Sequence, residues 1–314
     1  MPVPRTFEAC RRLIVLLAVM ALSVTTTSPI PAEEAMGRAA DIAQVLADLG
    51  SPEPAVRLGA AKRLPELAIE LWTRDFDATS SVLLTVLDDA SSEVRQMAAV
   101  SLFQATWVIW GNVELSADQE AVREEASPKL RRLHPRFVDR LDDDDPIVRE
   151  YLLRALGSWM PNLPQGLSTR LLHVVDDPSP KVAGLALRVL GRAGERSEAV
   201  ISKVLGALDR RPELRATAVD VLADLYDEPA ESEGRSPAPV DVLDSLSAAA
   251  ADPDEAVQMA AIRALGRVGA GSESVRALLR THADSGSERL RLEADLALSR
   301  LDADGPSPGD IEEP

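Results

Sequence analysis

Arg57, Arg95, Arg149, Arg215 and Arg291 occupy one slot of a recurring phrase, each six residues after an Asp or Ser. A planar guanidinium presents paired donors that match a carboxylate, so the pattern suits charge-assisted hydrogen bonds repeated at every unit. The acids on offer are Asp89, Asp143, Asp177, Asp209 and Asp252, each opening a phrase. Each Arg could bond the opening carboxylate of its own or the next unit, giving a structural ladder, or the arginines could form a basic strip for an anionic ligand. The same residue fills the same slot whatever else varies, which favours the ladder. Arg57 and Arg95 remain candidate rim contacts for a partner.

A second group is aromatic. If VRQMAAVSLFQATWVIWGN, from Val94 to Asn112, is a helix, then Ala98, Leu102, Ala105 and Ile109 lie between about 20° and 80° from Val94. Phe103, Trp107 and Trp110 then lie between about 160° and 220°, on the opposite side. Either the following segment covers these rings through Val113 and Leu115, or they form an exposed recognition patch. All four tryptophans, Trp72, Trp107, Trp110 and Trp159, fall in the first half of the repeat array. The first three units are therefore the better expectation for a partner, and Trp159 reads from its register as core.

Other reactive types are scattered. His134, His173 and His282 stand far apart and make no two-histidine metal spacing; there is no GxSxG elbow and no phosphate loop. The acidic run Asp142 to Asp145 could attract a divalent cation, but it sits where other units also carry acid, so a helix cap is the expectation. Neither a catalytic residue nor a metal or cofactor is assigned.

The elements that must position these residues follow from seven phrases, opening at Ser51, Asp89, Asp143, Asp177, Asp209, Asp252 and Ser285. In each, the sixth residue is Val or Leu, and a Leu falls eight residues later: Leu64, Leu102, Leu156, Leu190, Leu222, Leu265 and Leu298. An Ala falls four residues after it in six, Leu152 being the exception. Steps of four on a helix make one apolar stripe. Pro54, Pro146, Pro180 and Pro212 mark helix starts, where the missing N–H has no partner to lose. A second apolar segment precedes each phrase, such as 40–49, 80–87, 137–141 and 167–175. Two helices per unit, repeated at a few tens of residues, predict an all-α chain: an α-solenoid of about seven helical hairpins, whose units bury their faces on one another.

The pattern Asp-x-x-Pro-x-Val-Arg followed by Ala-Ala, Leu and Gly, as in DPSPKVAGLALRVLG and DPDEAVQMAAIRALG, resembles HEAT repeats, particularly the short type named after phycobilisome lyases. The resemblance spans about 38–301, with Ala183 and Gln258 standing where Arg is expected. It implies a binding surface or scaffold more than an activity.

The N-terminus has Arg5, Arg11 and Arg12, then the apolar run Leu13 to Val24 and a small-residue stretch ending at Ala32. These are the parts of a secretory signal over 1–32. The run is short of the about 20 residues that span a bilayer. The solenoid is expected over 33–301, with insertions at about 103–128 and 227–239, and a disordered acidic tail over 302–314. Cys10 is the only cysteine, so an exported chain would depend on packing alone. A net charge of −17 disfavours nucleic acid, whose phosphates are bound by basic groups. The expected function is a non-enzymatic scaffold binding a protein or peptide outside the cytoplasm, without a cofactor. The alternatives are a lyase-like or enzyme-accessory protein, and an envelope component anchored by an uncleaved N-terminal segment.

Overall fold

The computed structural model describes residues 32–74, 76–110, 124, 134–158, 167–227, 238–269 and 272–303. Among them there are helices and turns and no strand. The expected signal over 1–32 apart from Ala32, most of the two expected insertions, Trp159 and the tail beyond 303 lie outside the described residues. Packing divides the chain between Ala47 and Asp48 into two compact units.

The first helix, α1 (Ala32–Leu49), supplies the described part of the first unit up to Ala47, where Ile42 and Val45 are buried and Ala43 and Gln44 are exposed. The second unit opens with α2 (Pro54–Arg74). Six hairpins follow: α3 (Phe76–Val86) with α4 (Ser92–Trp110), α5 (His134–Asp139) with α6 (Pro146–Gly157), and α7 (Leu167–Val174) with α8 (Pro180–Arg192). The rest are α9 (Glu198–Arg210) with α10 (Arg215–Tyr226), α11 (Val240–Ala249) with α12 (Glu255–Val268), and α13 (Glu273–Ser285) with α14 (Glu288–Ala303). Because α4 runs on to Trp110, residues 103–110 are helix, so no insertion begins at 103.

Local chemistry starts these helices. The Asp145 carboxylate accepts from the Ile147 amide and Asp254 from Ala256, while Ser197 and Ser272 cap the first helices α9 and α13. Pro146 and Pro180 sit in the first turns of α6 and α8. Pro212 opens a 3₁₀ turn, Pro212–Leu214, that leads into α10.

The apolar stripe is the core. Val94, Val148, Val182, Leu214 and Val257 are buried, as are Leu64, Leu102, Leu156, Leu190, Leu222 and Leu265. Val56 is 40% exposed, since it begins the row where no earlier second helix lies against it. Each second helix packs on the next, from α2 through α4, α6, α8, α10 and α12 to α14. Glycines nine residues after the stripe's first position permit this approach. A Cβ on Gly157 would stand 3.2 Å from Val189, one on Gly191 2.9 Å from Val221, and one on Gly266 2.7 Å from the Ala297 Cα. The facing residue occupies the same register each time, so one spacing sets the packing of successive units.

Candidate protein-binding face

The recurring arginines lie at the starts of the second helices, Arg57 in α2, Arg95 in α4, Arg149 in α6 and Arg215 in α10. Arg57 Nε donates to Asp89 Oδ2 at 2.6 Å, Arg95 to Asp143 at 2.8 Å, and Arg149 to Asp177 at 2.7 Å. In each case Nη2 reaches the other carboxylate oxygen, so all three are two-pronged. Arg215 bonds Asp252 through one nitrogen at 2.6 Å. The partner is always the opening acid of the next unit. The same acids also organise their own turns: Asp89 accepts from the Ser91 amide, Asp143 from Asp145, Asp177 from Ser179 and Asp252 from Asp254.

Burial alone would raise the Asp143 and Asp89 carboxyls. The arginine hydrogen bonds, the turn amides and the nearby positive charge outweigh it and hold both below the ordinary carboxylate value. Asp252 is lowered chiefly by the Asp254 amide. The third arginine nitrogen turns to its own unit, where Nη1 of Arg57, Arg95 and Arg149 donates to the carbonyls of Ser51, Asp89 and Asp143. Arg95 is buried and also bonds Asp144. The side chains of Arg57 and Arg95, the candidate rim contacts, are thus engaged in the ladder at the starts of α2 and α4.

The ladder lapses after Ala183 and after Gln258, and it ends at Arg291. Ala183 stands where an arginine would face Asp209, and Asp209 is exposed. Arg291 is exposed in the last unit and makes no ion pair among the described residues. Gln258, in the arginine slot of its unit, keeps the inward bond by donating to the Asp252 carbonyl at 2.6 Å.

The acidic run is used the same way. Asp143 and Asp144 hold Arg95, Asp142 pairs with Arg170, and Asp145 caps α6 while accepting from Gln96. An open depression at this turn is lined by acids and by Arg95 and Arg140. Its Asp88 is already paired with Arg136 and Arg140. Among the described residues, no group of three or more His, Cys, Asp or Glu could hold a metal ion.

The aromatic residues fall elsewhere, on the side of the second helices that faces away from the stripe. Trp107 is 43% exposed. Phe103 is half-buried, its ring 5.9 Å from that of Tyr151 on α6 at 53°, an edge-tilted contact of the kind aromatic pairs prefer. Arg154 lies 5.9 Å from the Tyr151 ring centre and donates to Glu150, which also pairs with Lys181 of α8. Trp110 ends α4, and its side chain lies outside the described residues. Gln104 Oε1, on the same helix as Phe103 and Trp107, is buried without a hydrogen-bond partner among the described residues.

The comparisons follow this architecture. The family model for HEAT repeats matches residues 134–223 and 207–299, together more than half of the chain. The chain belongs to the HEAT-repeat family. A crystal structure of a HEAT-like repeat protein from the archaeon Thermococcus onnurineus NA1 is 15% identical with a TM-score of 0.53, covering 81% of this chain and 99% of that one. A designed armadillo repeat protein is 20% identical with a TM-score of 0.41, covering 82% and 98%. No curated protein matches. The archaeal likeness concerns fold alone; what a HEAT array binds is set by the residues on its faces.

Across that face the structure adds residues that the aromatic pattern did not signal. Six residues after the stripe's first position stand Arg154, Arg188, Asp220 and Arg263, and ten after it Arg192, Asp224 and Arg267. Aligning the HEAT units in register would have found them. Arg267 bonds Asp224 and Asp227 at 2.7 Å each, and Arg263 bonds Glu293 at 2.9 Å. Asp220 is half-buried, and burial raises its carboxyl above the ordinary value despite the attraction of Arg263 and Arg188.

Proposed function

We propose that this HEAT-repeat chain is a non-enzymatic scaffold, exported from the cytoplasm, that holds a protein or peptide partner on the second-helix face of its early hairpins. The observation that carries the reading is the exposure of Trp107 at 43% beside the Phe103–Tyr151 pair. Aromatics make up only 3% of this chain, and an exposed indole next to further rings suits an interface anchor. The histidines are far apart, which favours binding over catalysis. The basic, apolar and small-residue stretches of 1–32 support export. A net charge of −17 argues for a protein partner over nucleic acid. No helix among the described residues is long and apolar enough to cross a membrane.

Affinity capture from the native exported fraction tests the reading, using the wild type and Trp107→Ala side by side. A partner recovered by the wild type and lost with the variant supports it; equal recovery with both overturns the aromatic face. N-terminal sequencing of the protein from its producing cells tests export, with cleavage near Ala32 as the expected outcome.

A further inference from the structure

Arg188 and Arg192 set α8 apart from its neighbours. They stand four residues apart, both exposed, and neither forms a hydrogen bond or ion pair among the described residues. On α6 and α12 the arginines are paired: Arg154 with Glu150, Arg263 with Glu293, and Arg267 with Asp224 and Asp227, whereas Arg291 of the last helix α14 is likewise exposed without an ion pair among the described residues. In a chain of net charge −17, acids are abundant, so two neighbouring cations without one mark a local departure. Asp220 of α10 is half-buried and faces both Arg188 and Arg263 across the row, so this one carboxyl is shared between two guanidinium groups. Lys181, on the same helix, shares Glu150 with Arg154. Among the described residues, Arg154 and Lys181 thus share Glu150, Arg188 has the half-buried Asp220 near it, and Arg192 makes no ion pair.

The register joins this patch to the aromatic one. Counted from the first position of each stripe, Trp107, Arg154, Arg188 and Arg192 lie between about 220° and 280° at 100° per residue. They therefore share one face of successive packed helices. The Arg154–Tyr151–Phe103 contacts bridge the two patches.

Resting on the scaffold reading above, we propose that this face takes an extended acidic peptide. An aromatic or aliphatic side chain seats against Trp107 and Phe103, and a carboxylate meets Arg188 and Arg192. Packed helices lie about 8–10 Å apart, so the two steps from α4 through α6 to α8 span roughly 16–20 Å. An extended strand rises about 3.3 Å per residue, which sets the anchor and the acid about five or six residues apart. Charge complementarity selects acid over base, and the guanidinium forks suit a carboxylate.

The test is fluorescence anisotropy of the full chain with labelled Gly/Ser peptides carrying one Phe and a Glu-Glu pair about six residues later. Comparison peptides replace Glu-Glu by Lys-Lys, replace Phe by Ser, or bring the two groups within about two residues. The Phe/Glu peptide is expected to bind at least about tenfold more tightly than each of these, and to weaken as salt rises. The double variant R188E/R192E is expected to reverse the preference toward the Lys peptide, and R188Q/R192Q to abolish it. A wild-type preference for the Lys peptide, no binding of any peptide, or an unchanged preference in both double variants overturns the proposal. If binding appears only after residues 304–314 are deleted, the occupant is the chain's own acidic end and the proposal of a separate partner falls. Loss of the captured partner with Trp107→Ala alongside indifference to the arginine reversals would leave the scaffold reading standing and remove this one.

Discussion

Arg211 donates Nη1 to the backbone carbonyl of Asp177 at 3.2 Å and to that of Val175 at 2.9 Å. In neighbouring units the corresponding carbonyl is taken by the unit's own arginine, as Arg149 takes Asp143. Ala183 cannot do this, and an arginine from the following unit reaches back instead. Replacing Arg211 by Ala should therefore destabilise the array by about 1.5–3 kcal/mol, the range for a hydrogen bond to a charged donor. Arg291→Ala, at an exposed position without an ion pair, should stay within about 0.5 kcal/mol. Urea unfolding of both variants checks the contrast.

Arg95 and Asp143 form the most enclosed rung, with side chains 10% and 2% exposed. Removing one member strands the other in the turn, so Arg95→Ala should cost about 3–5 kcal/mol, measurable as a lower urea midpoint.

The same rung predicts a pH dependence. The Asp143 carboxyl is held below its ordinary value in the fold, so its contribution is complete above the unfolded value of about 4 and vanishes as pH falls through the folded value. Asp143→Asn should be clearly less stable than the wild type at pH 7, and the gap should close as pH drops below about 4. Thermal unfolding from neutral to acid pH follows both proteins.

Asp220 should behave in the opposite sense. Its carboxyl is raised by burial, so the favourable state is the protonated one, present at low pH and lost as pH rises through the folded value. Asp220→Asn is expected to unfold at a higher temperature than the wild type at pH 7 and at the same temperature in acid.

Helix approach gives a further contrast. A Cβ on Gly266 would lie 2.6 Å from the Ala297 Cβ and 2.7 Å from its Cα, whereas one on Gly59 would meet nothing within 4 Å. Gly266→Ala should push α12 and α14 apart at a cost of about 1–3 kcal/mol. Gly59→Ala, on an exposed stretch of α2, should add up to about 1 kcal/mol through helix propensity. Denaturant midpoints of the two variants should move in opposite directions.

How far each feature could be read in advance depended on its range along the chain. The stripe of Val, Ala and Leu repeats within one helix, so its burial follows from period alone, and Val56 departs only because the row begins there. The pairing of Arg57 with Asp89 was half legible: the slot was visible, but own-unit and next-unit acids were equally available until the turns were packed. Arg95 shows the limit, since a surface contact and a buried rung have the same sequence.

The amino-acid order by itself determined that helices form, where their phrases begin, and that their apolar stripes must be covered by neighbours, because these follow from local spacing and capping. Tertiary structure decided which atoms meet between units: Arg211 filling the place that Ala183 leaves, Tyr151 lying against Phe103, and Arg188 with Arg192 exposed and without an ion pair among the described residues. Those outcomes rest on distances of a few ångströms between helices more than thirty residues apart in most cases, and only packing sets such distances.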